Sequence, residues 1–418
     1  MNKTVYPSKI SGKVKAPASK SFMQRAIALS VLTEGETIIE NPSHCDDALA
    51  GLNIAANFGC KVYDNDDFIS IITNNSTCPD KLHCGESGLA IRLFAPVVSL
   101  FSHSVTLLAE GSLLKRPAGF MADTFKQLGV VFITENGFPP VKIKGPLKPA
   151  EIELDGSLSS QFLSGLLITL PVANGNSIVH VKNLKSKPYV DMTLKTVEAF
   201  GGIIENNDYQ QFTIKGNQKY HTDKYYIEGD WSGAAGLLVA GAIAGEITVE
   251  KLQSPSSQAD YAVLEAIKQT GALVLQDEKN SMVTVIKLEN LKSFEFDAEH
   301  CPDLFPVLTA LAANCKGVSK IKGVHRLTHK ESNRGEALKT EFSKLGVKIF
   351  FENDIMHIEG TKIKGGKVFA HNDHRIAMAL ALAAFTANDF VEIEGAECVN
   401  KTYPEFFDDL EKLGVVIE

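Results

Sequence analysis

Six short stretches carry the cations, carboxylates and hydroxyls that could do chemistry: "PASKSFMQR" (Lys20, Ser21, Arg25), "LKRP" (Arg116), "PDLFP" (Asp303), "HKESNR" (Lys330, Glu331, Arg334), "NDHRIAMA" (His374, Arg375) and "NKTYPEFF" (Lys401). Each reads as the start of a helix. A helix N-terminus carries partial positive charge and unpaired N–H groups, so Lys and Arg there are unfavourable for the isolated helix. The same ends bind anions, and guanidinium forks fit phosphate and carboxylate groups. Several such ends gathered together make a trap for a multiply anionic small molecule. Asp303, Glu331 and His374 standing among those cations suit proton transfer.

Helix capping is the plain reading of the Ser and Asp residues taken singly, and Thr328-x-x-Glu331 matches a capping box. A helical "HKESNR" sets Lys330 and Arg334 four residues apart on one face, with Glu331 beside them. Capping does not account for Lys20, Arg116, Lys330, Arg375 and Lys401.

The elements that carry these residues repeat. An amphipathic helix ending in Gly and followed by a short apolar strand recurs as "LNIAANFGCKVY", "MADTFKQLGVVFI", "TLKTVEAFGGII", "VLEAIKQTGALVL", "LKTEFSKLGVKIF" and "FDDLEKLGVVIE". Its glycines, Gly59, Gly129, Gly201, Gly271, Gly346 and Gly414, fall about 70 residues apart and fit left-handed C-caps. Between them lies a second helix type rich in small residues, as in "DWSGAAGLLVAGAIA", expected to be buried on most sides. Hairpins such as "VKIFFENDIMHIEG" close the unit. Helix, strand, helix, strand, strand, six times over, gives an α/β fold of two similar domains. The expected boundaries are 19–229 for repeats 1–3 and 1–18 plus 230–418 for repeats 4–6. Pro17 to Lys20 is then the first crossing between them.

The chain has 418 residues, 44% of them apolar and 22% charged, and a net charge of −8, which argues against a bulk nucleic-acid-binding surface. Seven scattered Cys without a CxxC pair, and a start lacking an apolar signal core, predict a reduced cytoplasmic protein. The longest apolar stretch, "AGLLVAGAIAG", is too short to span a membrane.

Together with "ESGLAIR", "SSQFLSGLL" and "SKPYVDMT", the six charged stretches resemble the enolpyruvyl transferases, most closely the EPSP synthase family, over essentially the full chain. The resemblance implies two domains of three βαβαββ units each (an inside-out α/β barrel) with the active site in the interdomain cleft. It also implies transfer of the enolpyruvyl group of phosphoenolpyruvate to the 5-hydroxyl of shikimate 3-phosphate. The reaction belongs to the shikimate pathway of aromatic amino acid biosynthesis and needs no metal or organic cofactor; a monomer is expected.

By matching position, the shikimate 3-phosphate side is Lys20, Ser21, Arg25, Ser159, Ser160, Gln161, Ser186, Tyr189, Asp303 and Lys330. The phosphoenolpyruvate side is Lys20, Gly88, Arg116, Gln161, Arg334, Arg375 and Lys401. Asp303 and Glu331 take the proton-transfer roles, with Lys20, Lys401 and His374 assisting. Leu89, Glu86, Arg326 and Asn333 depart from the residues frequent in the family, and none of them removes a proposed catalytic group. The sister transferase acting on UDP-N-acetylglucosamine carries a Cys in its mobile loop, whereas the matching "AEGSLLKRP" has none. A non-catalytic six-repeat clamp on nucleic acid calls for cations along helix flanks, not at helix starts with Asp, Glu and His.

Overall fold

A computed structural model of the chain describes residues 1–74, 77–328 and 330–418. They form two compact units, Ala18–Ile227 and Met1–Pro17 with Glu228–Glu418. Each unit holds three small sheets.

The sheet built on Glu151–Asp155 shows the repeating plan. That strand pairs in parallel with Ser177–Lys182, the helix Gln161–Thr169 making the crossover that a parallel pair requires. The helix Lys187–Ala199 follows, then the hairpin Ile204–Asn207 with Gln211–Ile214, whose second strand lies antiparallel to Ser177–Lys182. The sequence β-α-β-α-β-β thus yields a mixed four-stranded sheet. In the hairpin Lys348–Glu352 with Ile355–Glu359, the turn residues Asn353 and Asp354 have φ of 49° and 65°, the conformation a two-residue turn of this kind needs.

Two leading strands come from distant parts of the chain. In the first repeat, Gly35–Glu40 receives its parallel partner from Lys224–Tyr226, which follows the third repeat. In the fourth, Gly245–Glu250 pairs in parallel with Ile10–Lys15 from the N-terminus. Asn2–Val5 pairs antiparallel with Val391–Glu394 in the last sheet, where Ile417 also bridges Val5. The N-terminal segment therefore pairs within the unit of repeats 4–6.

All six repeat glycines have positive φ: 83° at Gly59, 69° at Gly129, 78° at Gly201, 89° at Gly271, 84° at Gly346 and 98° at Gly414. After five of them the next amide reaches back to the last helical turn, as Cys60 N–H does to Ala55 O at 3.2 Å and Val347 N–H to Phe342 O at 3.0 Å.

The small-residue helices are cores. Gly88–Val98 and His374–Ala384 are buried along their whole length, and Trp231–Ala244 is buried except at Ser232. Gly88–Val98 packs on Gln161–Thr169, where a Cβ at Gly165 would stand 2.5 Å from Arg92 O. The small-residue helices thus lie inside each unit, and the sheets remain six separate sheets among the described residues. No helix there is long and apolar enough to cross a membrane.

Candidate active site

In the unit Ala18–Ile227, Lys20 is the first residue of the helix Lys20–Val31, and its N-cap Ser19 makes no side-chain cap bond. The cation is answered instead by Asp47 in the first turn of the helix Asp46–Asn57: Lys20 Nζ lies 3.0 Å from Asp47 Oδ2. One turn on, Gln24 Nε2 donates to Asp47 O at 2.7 Å and Ser87 Oγ at 2.8 Å. So the cost of a cation at a positive helix end is offset within the protein, and does not await a ligand.

Arg25 is fully buried. Among the described residues its donors reach only neutral oxygens: Thr193 Oγ1 and Ser21 O, each at 2.8 Å, Tyr189 O at 2.9 Å and Ser164 Oγ at 3.4 Å. Burial pushes its pKa down to about 10. This network joins three sequence-predicted residues, Ser21, Arg25 and Tyr189. Ser186, another of them, is buried at the position before the helix Lys187–Ala199, with φ of 58° and no side-chain cap bond. Ser159 Oγ accepts from Gln161 N–H at 3.2 Å, and Ser160 is buried beside them.

Gln161 leads to a residue the sequence reading passed over. Arg92 Nη1 donates to Gln161 Oε1 at 2.6 Å, and its guanidinium stacks over Phe120 at 5.6 Å. The usable signal was a charge inside the apolar run "GLAIRLF", because a buried Arg calls for partners. Gly88 and Arg116 do meet: a Cβ on Gly88 would stand 2.5 Å from Arg116 Nη1.

In the other unit the sequence-predicted residues form one connected cluster. Asp303 Oδ1 lies 3.0 Å from Lys330 Nζ and 2.7 Å from Arg334 Nη1, while Oδ2 lies 3.3 Å from Arg375 Nη2. Arg334 Nη2 donates to Glu331 Oε2 at 2.7 Å, and Lys401 Nζ stands 3.9 Å from Glu331 Oε1. Arg334 Nε donates to Asp373 Oδ2 at 2.8 Å. Asp373 in turn caps the helix His374–Ala384, accepting from Arg375 N–H at 3.1 Å, and takes the Ser332 hydroxyl at 3.0 Å. His374, the first residue of that helix, is buried with Nδ1 3.9 Å from Asp373 Oδ1.

Burial works to raise the Asp303 carboxyl, but Lys330, Arg375 and Arg334 outweigh it and hold the group well below the usual carboxylate range. Burial works to lower Arg334, and Asp373, Glu331 and Asp303 more than reverse that. Lys330 ends lowered: burial and the neighbouring Arg334 outweigh a carboxylate it must share with two guanidinium groups.

Asp260 also escaped the list of site residues. It is buried, accepts the Ser232 hydroxyl on Oδ2, and among the described residues has no hydrogen bond to Oδ1. Burial, with Asp303 and Asp230 nearby, raises it to about 7 against the pull of Arg375.

Three expectations about helix starts need correction. The stretch 330–333 is not helical. The helix begins at Arg334, and its cap is Asn333, whose Oδ1 accepts from Glu336 N–H, rather than the expected box from Thr328 to Glu331. Glu331 is engaged by Arg334 and so does not close a capping box. Arg116 follows the short turn Gly111–Lys115, six residues ahead of the helix Ala122–Gln127. Lys401 ends the turn Ala396–Lys401, ahead of the helix Phe406–Lys412. These cations stand on irregular backbone before helices, and only Lys20, Arg334 and Arg375 occupy first turns.

Comparison with known proteins supplies the frame for these two clusters. The family model for EPSP synthase (3-phosphoshikimate 1-carboxyvinyltransferase) matches residues 5–410. A 3-phosphoshikimate 1-carboxyvinyltransferase of Clostridium botulinum is 38% identical, covering 98% of this chain and 96% of its own. One of Clostridium beijerinckii is 36% identical, covering 100% and 98%. In structure, EPSP synthase from Acinetobacter baumannii superposes with a TM-score of 0.85 at 24% identity, covering 100% of this chain and 99% of its own. The enolpyruvyl transferase NikO from Streptomyces tendae gives 0.78 at 19% identity, covering 100% and 98%. Those structural likenesses speak to the fold, and the full-length sequence matches carry the conclusion that this chain belongs to the EPSP synthase family.

Proposed function

We propose that the chain transfers the enolpyruvyl group of phosphoenolpyruvate to the 5-hydroxyl of shikimate 3-phosphate, releasing phosphate. The observation that carries the reading is Asp303 held among Lys330, Arg334 and Arg375, with Glu331 on the other terminal nitrogen of Arg334. A base and an acid are thereby fixed about one cation, in a chain whose full length matches this family.

Two phosphates and two carboxylates bring about six negative charges, each phosphate carrying about −1.5 to −2 near neutral pH. Lys20, Arg25, Arg116, Lys330, Arg334, Arg375 and Lys401 supply seven positive ones; the proposal draws on both units. Ser21, Arg25, Ser159, Ser160, Ser186, Tyr189 and Lys330 hold shikimate 3-phosphate. Gly88, Arg116, Arg334, Arg375 and Lys401 hold phosphoenolpyruvate, and Lys20 and Gln161 touch both.

In the free protein three cations make Asp303 a poor base. Incoming anions draw Lys330 and Arg375 toward themselves, and the proton affinity of Asp303 rises when both substrates are in place. Asp303 then takes the 5-hydroxyl proton as that oxygen bonds to C2 of phosphoenolpyruvate, and Glu331 protonates the methylene. The tetrahedral adduct loses phosphate as its C–O bond breaks and the new methyl group returns a proton. Lys20, His374 and Lys401 stabilise the charges that develop. The enzyme works as a cytoplasmic monomer in aromatic amino acid biosynthesis.

A phosphate-release assay tests this. Release with phosphoenolpyruvate and shikimate 3-phosphate is expected, and release only with UDP-N-acetylglucosamine as acceptor, or with neither, overturns it.

A further inference from the structure

Glu86 stands two residues before the helix Gly88–Val98, where an acidic side chain usually serves the helix end. Here it is used elsewhere, and Ser87 does the capping by accepting from Ala90 N–H at 3.2 Å. Glu86 Oε2 accepts from both Ser112 N–H at 3.0 Å and Ser112 Oγ at 2.7 Å. Ser112 belongs to the turn Gly111–Lys115, whose last residue precedes Arg116. A backbone bond ties the same segments, Glu110 N–H to Gly85 O at 3.0 Å.

The neighbouring glycines fit this arrangement. Gly111 has φ of 52°, and a Cβ there would fall 2.0 Å from Glu86 Oε1, so the carboxylate fills space that only glycine leaves open. Leu113 anchors the middle of the turn in the core. At its far end the Arg116 guanidinium lies against Gly88, where a Cβ would come within 2.5 Å of Nη1. The run Glu86-Ser87-Gly88 thus latches the start of the turn, caps its own helix, and makes room for the cation at the end of the turn.

We propose that Glu86 is a positioning residue for Arg116: its carboxylate latches the turn Gly111–Lys115 to the head of the helix Gly88–Val98 and so fixes where the guanidinium meets an anionic substrate. The inference rests on the proposed function, in which Arg116 holds phosphoenolpyruvate. A carboxylate beside an anion site is otherwise a liability, and two donors on Oε2 hold it in the latch.

The test begins with wild-type turnover of phosphoenolpyruvate and shikimate 3-phosphate; its absence sinks the functional reading and leaves the latch to be judged by exchange alone. Glu86→Ala is expected to raise KM for phosphoenolpyruvate roughly ten- to a hundredfold, the scale of a misplaced binding group. KM for shikimate 3-phosphate should stay within about twofold. Glu86→Gln, which keeps an acceptor oxygen, should recover most of the loss, and Ser112→Ala, which keeps the backbone donor, should give a smaller rise of the same kind. Independently of activity, amide hydrogen exchange at Ser112 should quicken in Glu86→Ala. Unchanged exchange at Ser112, an unchanged KM for phosphoenolpyruvate in an active enzyme, or an equal rise for both substrates each overturns the latch.

Discussion

Arg25 and Arg334 are among the largest fully buried side chains, one in each unit, and they are held by opposite chemistry. Arg25 meets hydroxyls and carbonyls, and its pKa is pushed down to about 10. Arg334 meets Asp303, Glu331 and Asp373, and its pKa is driven up. A buried cation among neutral oxygens keeps its charge unneutralised, and an arriving anion lowers its energy. A buried cation among carboxylates has its charge largely offset, and it fixes those carboxylates besides any anion it holds. In the proposed reaction the unit Ala18–Ile227 serves mainly as a receiving half, and the other unit, which also holds substrate, is the proton-handling half, although both are built from the same βαβαββ unit.

The largest expected effect falls in the proton-handling half. Asp303→Asn keeps the shape and the hydrogen-bonding oxygen but removes the base, and should lower kcat by about a thousandfold, within the range of general-base contributions. Both substrates should still bind by calorimetry. Near-normal turnover would remove Asp303 from the mechanism and break the contrast.

The two arginines test it through stability. Arg334→Lys leaves a single ammonium where a guanidinium reached Asp303, Glu331 and Asp373, and the buried Asp373 loses an ion pair. It should cost about 3–5 kcal/mol in urea unfolding, as does breaking a buried ion pair. Arg25→Lys forfeits only bonds to neutral groups and should cost about 1–3 kcal/mol. It should also abolish most of the rise in melting temperature that shikimate 3-phosphate confers on the wild type. Equal losses in the two variants would mean that the difference in partners carries no energy.

Sequence made some of this visible for physical reasons. A helix that must end in left-handed backbone favours glycine, so Gly59 through Gly414 announced all six repeats. Cations among acids announced the cluster around Asp303. The strands Lys224–Tyr226 and Ile10–Lys15 were illegible as leading strands of the first and fourth repeats, because their partners lie far away along the chain. The helix start at Arg334 was misread because Glu331 suited a capping box, and only three dimensions reveal that Arg334 claims it. Arg92 and Asp260 were passed over because their partners, Gln161 and Ser232, come from other elements of the fold.

Asp260 gives the proton-handling half a pH signature of definite sign. Its folded pKa of about 7 lies above the value of about 4 for an exposed Asp. Between those limits the folded protein binds more protons than the unfolded chain, so stability falls as pH rises through the window and levels off above it. Asp303, held low, acts oppositely and at lower pH, where stability falls as the medium becomes more acidic. Asp260→Asn cannot ionise, and its melting temperature should gain on that of the wild type from about pH 4 to about pH 7. A constant difference across the window would show that Asp260 does not change its ionisation there.

The smallest effect belongs where the two units are expected to agree. Gly201 and Gly271 end corresponding helices in different units, with φ of 78° and 89°. A Cβ on Gly271 meets nothing within 4 Å, and one on Gly201 meets only His221 O at 3.7 Å. Steric crowding by neighbours is therefore absent at both, and substitution exposes the left-handed backbone alone. Ala at either position should cost about 1–2 kcal/mol, the penalty for an L-residue in that conformation. Asn should cost less than Ala, because its short side chain tolerates left-handed backbone. Matching costs at the two sites, in variants that retain wild-type KM values, would place the difference between the units in how they hold charge. A large excess at one site would show that the shared repeat is itself built differently in the two halves.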